Sequence, residues 1–158
     1  MSAGAYDTVK SVLSRLGTVD FTKVAMQPGT PQGHGTLGPD DTPIFTLPGN
    51  PVSSFISFEL YVRPLIRRLM GKPDLVRPED RAVCTVAFDS PRGKRQYVRA
   101  VLDVHEDGSR TVRPVGGQGS HVVGGLAMAD ALIVVPPDVA RVEPGDVVTV
   151  LDLQRSQS

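Results

Sequence analysis

The spacing of apolar residues changes once along the chain, from a helical period to an alternating one, and the change divides it. Val9, Val12, Leu13 and Leu16 recur at i, i+3, i+4 and i+7, which predicts an amphipathic helix over residues 5–16. Gly17 reads as its C′ residue and Asp7 lies in its first turn, where a carboxylate suits the helix dipole. Phe21 to Met26 reads as a strand. Residues 27–35 read as a loop, because Pro28 and Pro31 remove ladder donors and three glycines loosen the backbone. A polar turn, Gly38-Pro39-Asp40-Asp41, precedes a short buried strand, Ile44 to Leu47. Phe55, Phe58, Leu60, Val62, Leu65 and Leu69 then predict a helix from about Val52 to Met70, with Pro51 near N1 and a kink or break at Pro64. Gly71-Lys72-Pro73 ends it.

Beyond Pro73 the pattern is that of strands. Ala82 to Phe88 alternates, and Tyr97 to Val104 turns back through Glu106-Asp107-Gly108-Ser109 into Thr111-Val112-Arg113. Ala131 to Val135 and Val147 to Leu151 are apolar runs, the second after the turn Glu143-Pro144-Gly145-Asp146. Five or six short strands at near-regular spacing predict a small β-barrel or sandwich. The expected boundaries are an α/β unit over 1–72, a linker at 73–77, an all-β domain over 78–153 and a frayed tail at 154–158. The first unit, helix–strand–strand–helix, is thin for a complete α/β domain, so it reads as the second half of something or as a piece completed on a partner.

Charge and composition narrow the function classes. Seventeen basic residues balance seventeen acidic ones, and five Phe and three Tyr are the only aromatics, which leaves no electrostatic footprint for nucleic acid. No apolar run reaches the roughly 20 residues of a spanning helix, and no signal peptide is visible. The single cysteine, Cys84, reads as an inert core thiol. A cytoplasmic protein fits these features.

The chemistry is that of oxyanion binding. No Walker-type loop is present and no G-x-G-x-x-G follows a predicted strand, and His34, His105 and His121 lack metal-ligand spacing. Leu47-Pro48-Gly49-Asn50-Pro51-Val52-Ser53-Ser54 joins a strand to a helix, which places main-chain N–H groups where they face an anion, or is a structural turn with no ligand. Asp7 with Lys10 is either a functional pair or an exposed i,i+3 pair. Lys23 stands beside the 27–35 loop, or is a surface charge. Arg92, Lys94, Arg95 and Arg99 form an oxyanion site or a solvated basic edge. Gly116-Gly117-Gln118-Gly119-Ser120-His121 is a loop rich in exposed N–H groups.

F-T-K-V-A-M-Q-P-G at 21–29, L-P-G-N-P-V-S-S at 47–54, Y-V-R at 97–99 and G-Q-G-S-H at 117–121 occur in the order and spacing of the molybdopterin molybdenumtransferases. The chain resembles this family, the MoeA type that includes the E domain of gephyrin, from Ser2 to about Leu153. The implied fold is a partial α/β unit, the C-terminal half of a three-layer molybdopterin-binding domain, followed by a small all-β barrel domain. The implied activity inserts molybdate into adenylated molybdopterin and releases AMP, with Mg²⁺ as cofactor, in a homodimer. The resemblance makes Asp7 and Lys23 the catalytic candidates, with Asp7 also a Mg²⁺ ligand. It makes Pro48, Gly49, Asn50, Pro51, Ser53, Arg99 and Ser120 the substrate-binding ones. Gln27 and Thr30 stand where many members carry lysines, which weakens anion attraction there or shifts it to Lys23 and Arg99. The first half of the α/β domain and two earlier domains of the family are expected to be absent, so that this chain alone has little activity unless that half acts in trans. The alternative is a non-catalytic dimerisation or peptide-binding module of the same family.

Overall fold

A computed structural model describes residues 3–116 and 128–154, with residues 3–8 as backbone only. Helix α1, Ala3–Leu16, is followed without a break by β1, Gly17–Lys23. Gly17 is therefore the first strand residue and not a left-handed helix cap. The strand expected over residues 21–26 is divided: after β1 the chain makes a tight turn in which Met26 N donates to the Val24 carbonyl (2.8 Å), and β2, Met26–Gln27, joins a different sheet.

The expected loop at 27–35 is corrected most. Its second half is β3, Pro31–Leu37, the middle strand of the antiparallel sheet β1-β3-β4, where β4 is Thr42–Thr46. Pro31 opens the strand, where a missing N–H costs least. Its glycines are required by close approach: a Cβ at Gly35 would run into the Thr18 carbonyl, and one at Gly33 into the Thr46 hydroxyl. Glycine here permits pairing that any side chain would block, the reverse of the loosening it signals in isolation.

The long helix forms in three pieces. α2, Pro51–Ser57, passes into a π-helical stretch, Phe58–Val62, and then α3, Arg63–Leu69. Pro64 has no N–H to donate, and the wider turn before it lets Arg63 N bond the Phe58 carbonyl instead. Gly71, at φ 70°, closes α3. Its N–H bonds the Arg68 carbonyl (3.0 Å) and the Lys72 N–H bonds Arg67 (2.9 Å), the two-bond Schellman arrangement.

The second segment is a closed barrel. Its circuit runs β7 (Arg95–Val104), β8 (Arg110–Pro114), β5 (Glu79–Cys84), β11 (Val147–Asp152) and β9 (Ala131–Val135), and β9 pairs back to β7. β2 adds to β7 in parallel, and the short ribbon of β6 (Phe88–Asp89) and β10 (Arg141–Val142) stands apart. Inward-facing Ala82, Cys84, Ala100, Val112, Ile133, Val135 and Val150 fill it. Cys84 is fully buried, as a core thiol should be. The Asp-Gly hairpin forms as expected, with Gly108 at φ 80°, and hydrogen bonds from Ser109 hold the Asp107 carboxyl below its usual range.

All five residues of β9 are buried. Ile133 and Val135 face the barrel interior, while Leu132 and Val134, with Leu151 of β11, face outward onto Met26, Val52 and Ile56 of the first segment. An unbroken apolar run is the signature of a strand covered on both faces, and α2 is the second cover. No helix among the described residues is long and apolar enough to cross a membrane.

Candidate functional site

Asn50 organises the start of α2. Its Oδ1 accepts from Val52 N (3.0 Å) and Ser53 N (3.2 Å), and Pro51 occupies N1 with no N–H to satisfy. Ser54 N bonds the Asn50 carbonyl (2.9 Å), and the Ser54 hydroxyl donates to the Pro48 carbonyl. The amides that the strand-to-helix turn was expected to offer an anion are thus engaged by its own side chain. The turn is a self-capped wall, with Pro48 and Ser53 buried and Gly49 and Pro51 exposed.

Lys23 is exposed at the end of β1, opposite Pro31. Just after it, the Ala25 carbonyl accepts from Arg95 N (2.9 Å), which docks this end of the first segment on the start of β7. The turn over residues 28–32 is anchored from within. Gln32 Nε2 donates to the Gly29 carbonyl and to Ser57 Oγ, both at 2.6 Å, and Thr30 Oγ1 donates to the Met26 carbonyl at 2.9 Å. Gln32 and Ser57, which anchor this turn, are not among the sequence-predicted residues; a glutamine inside an apparent loop gives no signal of burial. Tyr61 OH donates to Met26 Sδ (3.2 Å), and burial, then the nearby Tyr97, pushes the Tyr61 phenol above its ordinary pKa.

Arg99 lies four residues along β7 from Arg95 and is 7% exposed. It shares the outward face with Tyr97, as period two requires, and its register partner on β9 is Leu132. Its carbonyl accepts from Val115 N at 2.9 Å. Its guanidinium lies against Gly116, where an added Cβ would come within 3.0 Å of Nη2. The buried arginine therefore stands where the glycine-rich loop leaves the barrel.

The first segment meets the β7–β9 pair at two places, along the edge of β7 just after Lys23 and on the outer face of β9 through α2. The segment after Lys23 docks at Arg95, the helix after Asn50 packs on Leu132, and Arg99 is paired across the strands with that same Leu132. His34 and His105 take no part: His34 stacks on Phe45 with centroids 6.2 Å apart, and His105 Nε2 lies 2.9 Å from Thr111 Oγ1 in the distal hairpin. The Asp7 side chain and the whole of 117–121, Ser120 included, lie outside the described residues. Among the described residues no three His, Cys, Asp or Glu converge as a metal site.

Comparison with known proteins covers both segments. Residues 1–68 match the family described as the probable molybdopterin binding domain, and residues 81–153 match the MoeA C-terminal region (domain IV). The molybdopterin molybdenumtransferase 2 of Mycobacterium tuberculosis is 49% identical over 97% of this chain and 38% of its own length. The molybdopterin molybdenumtransferase of Bacillus subtilis is 36% identical over 96% of the chain and 35% of its own length. A crystal structure of the molybdopterin biosynthesis MoeA protein from Pyrococcus horikosii superposes with a TM-score of 0.78 at 28% identity, over 95% of this chain and 36% of that one. The chain spans less than two fifths of the length of these relatives.

Proposed function

Because the chain belongs to the molybdopterin molybdenumtransferase (MoeA) family, matching its C-terminal portion, we propose that it serves molybdenum cofactor biosynthesis by carrying one wall of a molybdate-insertion site. The substrates in this reading are molybdate and adenylated molybdopterin, and AMP is released. The observation that carries it is Arg99, a buried guanidinium set against the first glycine of a glycine-rich loop. A guanidinium offers two parallel donors to a tetrahedral oxyanion, and a site closed to water strengthens that contact.

In the same reading Arg99 and Ser120 hold molybdate, Lys23 supplies positive charge at the mouth, and Pro48, Gly49, Asn50, Pro51 and Ser53 form the opposing wall. Asp7 is the acidic residue we put forward for catalysis and for Mg²⁺. Residues 1–72 and 78–153 are the two units, joined by 73–77, in a cytoplasmic homodimer. The rest of the relatives' length supplies the remainder of the site, in cis or in trans.

Titration of the purified chain with molybdate tests the reading. Binding that Arg99→Ala weakens on the order of a hundredfold supports it. Equal binding by both proteins overturns it. Molybdate-dependent AMP release with the remaining domains supplied is the corresponding activity measurement.

A second reading, an assembly module without catalysis, draws on α1, whose Val9, Val12 and Leu16 face solvent at 45%, 48% and 60% exposure. It requires self-association or peptide binding without molybdate binding.

A further inference from the structure

Where the two segments join, the chain doubles back along its own helix. Glu59, Arg63 and Arg67 are spaced by four residues, so they lie along one side of the helical run 51–69. Each holds a successive point of the connecting segment. Arg67 Nε donates to the Asp74 carbonyl, and Arg63 Nη1 to the Leu75 carbonyl at 3.4 Å. The Glu59 carboxylate takes Arg77 in a fork, Nε to Oε2 at 2.7 Å and Nη2 to Oε1 at 3.4 Å. The lengths agree: eight helical residues rise about 12 Å, and three extended residues span about 10 Å.

Arg77 reaches further. Its Nη1 donates to the Asp152 carbonyl (3.0 Å) at the end of β11. One guanidinium thus ties the helix, the connecting segment and the barrel. The pair is nearly shielded from water, with side chains 11% and 9% exposed, and Arg63 Nε stands 3.8 Å from the same carboxylate. Burying two charges costs desolvation that their attraction only about repays, so such a pair contributes little net stability. Separating it leaves a charge stranded in a dry place, which is expensive. It therefore penalises every arrangement of helix and barrel except the one that keeps the fork closed.

We propose that residues 74–77 are a strap and that Glu59–Arg77 is its lock, a positioning pair that fixes α2 on the outer face of β9 and holds the wall carrying Pro48 and Ser53 in place against the strand carrying Arg99. The junction between the segments is then a rigid seam and not a hinge. This does not depend on which ligand the cleft takes.

Hydrogen exchange of the full chain tests the strap. Arg77→Ala and Glu59→Gln speed exchange along the helical run 51–69 by about ten- to a hundredfold, the loss of a charged buried hydrogen bond. Amides of β5, β8 and β11 inside the barrel keep their protection. Arg141→Ala, which removes an exposed ion pair with Asp89 and Glu143, leaves the strap unchanged. If Arg77→Ala does not fold, Arg77→Lys decides, because it keeps the charge and loses the fork. Faster exchange confined to the helical run 51–69 supports the lock. Unchanged exchange along that run, or an even rise throughout the barrel, overturns it.

Discussion

In the barrel, β7 pairs with β8 on one side and β9 on the other, and the five-strand circuit closes on itself. In the β1-β3-β4 sheet, the outer edges of β1 and β4 pair with no described strand. The same contrast holds for apolar side chains. Every residue of β9 is buried, whereas α1 presents Val9, Val12 and Leu16 to solvent, and α3 presents Ile66 and Leu69. The barrel circuit thus closes through its own strands and fills its interior with its own residues, while β2 of the first segment adds along β7 and α2 covers the outer face of β9. The first segment leans on the barrel: Met26, Val52 and Ile56 share one apolar cluster with Leu132, Val134 and Leu151.

This asymmetry predicts where substitutions hurt. Ile133→Ala empties the centre of the barrel and costs about 4 kcal/mol. Urea unfolding followed by circular dichroism should show both segments losing order together, because β9 serves both cores; retention of the helices after barrel loss would break the comparison. Asn50→Ala strips the cap of α2 and costs about 1 kcal/mol. It should lower the denaturation midpoint without changing the slope, and raise helix-start exchange at Val52 and Ser53 while the barrel stays protected. Val12→Ser on the exposed face of α1 should shift stability by less than about 0.5 kcal/mol. A larger loss in the monomeric chain would mean that this helix face is covered in solution, which would draw the two regions closer.

Much of this asymmetry was legible residue by residue. The continuous apolar run Ala131–Val135 announced a strand, and Asp107-Gly108 and Pro144-Gly145 announced their turns. Pro51 carried the signal of an N1 proline. The segment 31–37 was misread because Gly33 and Gly35 carry opposite meanings in a loop and in a crowded strand, and only the partners Thr46 and Thr18 decide between them. Arg99 was legible as an oxyanion ligand by type, but its burial against Gly116 was not, since period two places Arg95, which is exposed, on the same face. Arg77 gave no sign at all: a lone arginine in a linker reads as solvated.

The sequence by itself determined the kinds of element, their order, the turn chemistry and the family motifs, because these depend on neighbours a few residues away along the chain. Only the tertiary structure decided that the barrel closes through β7 and β9, that Arg99 is buried against Gly116, and that Glu59, Arg77 and Asp152 meet across the seam. Those outcomes rest on contacts between residues as many as 75 positions apart, and whether a charge or a donor is buried depends on what folds over it, which no local pattern records.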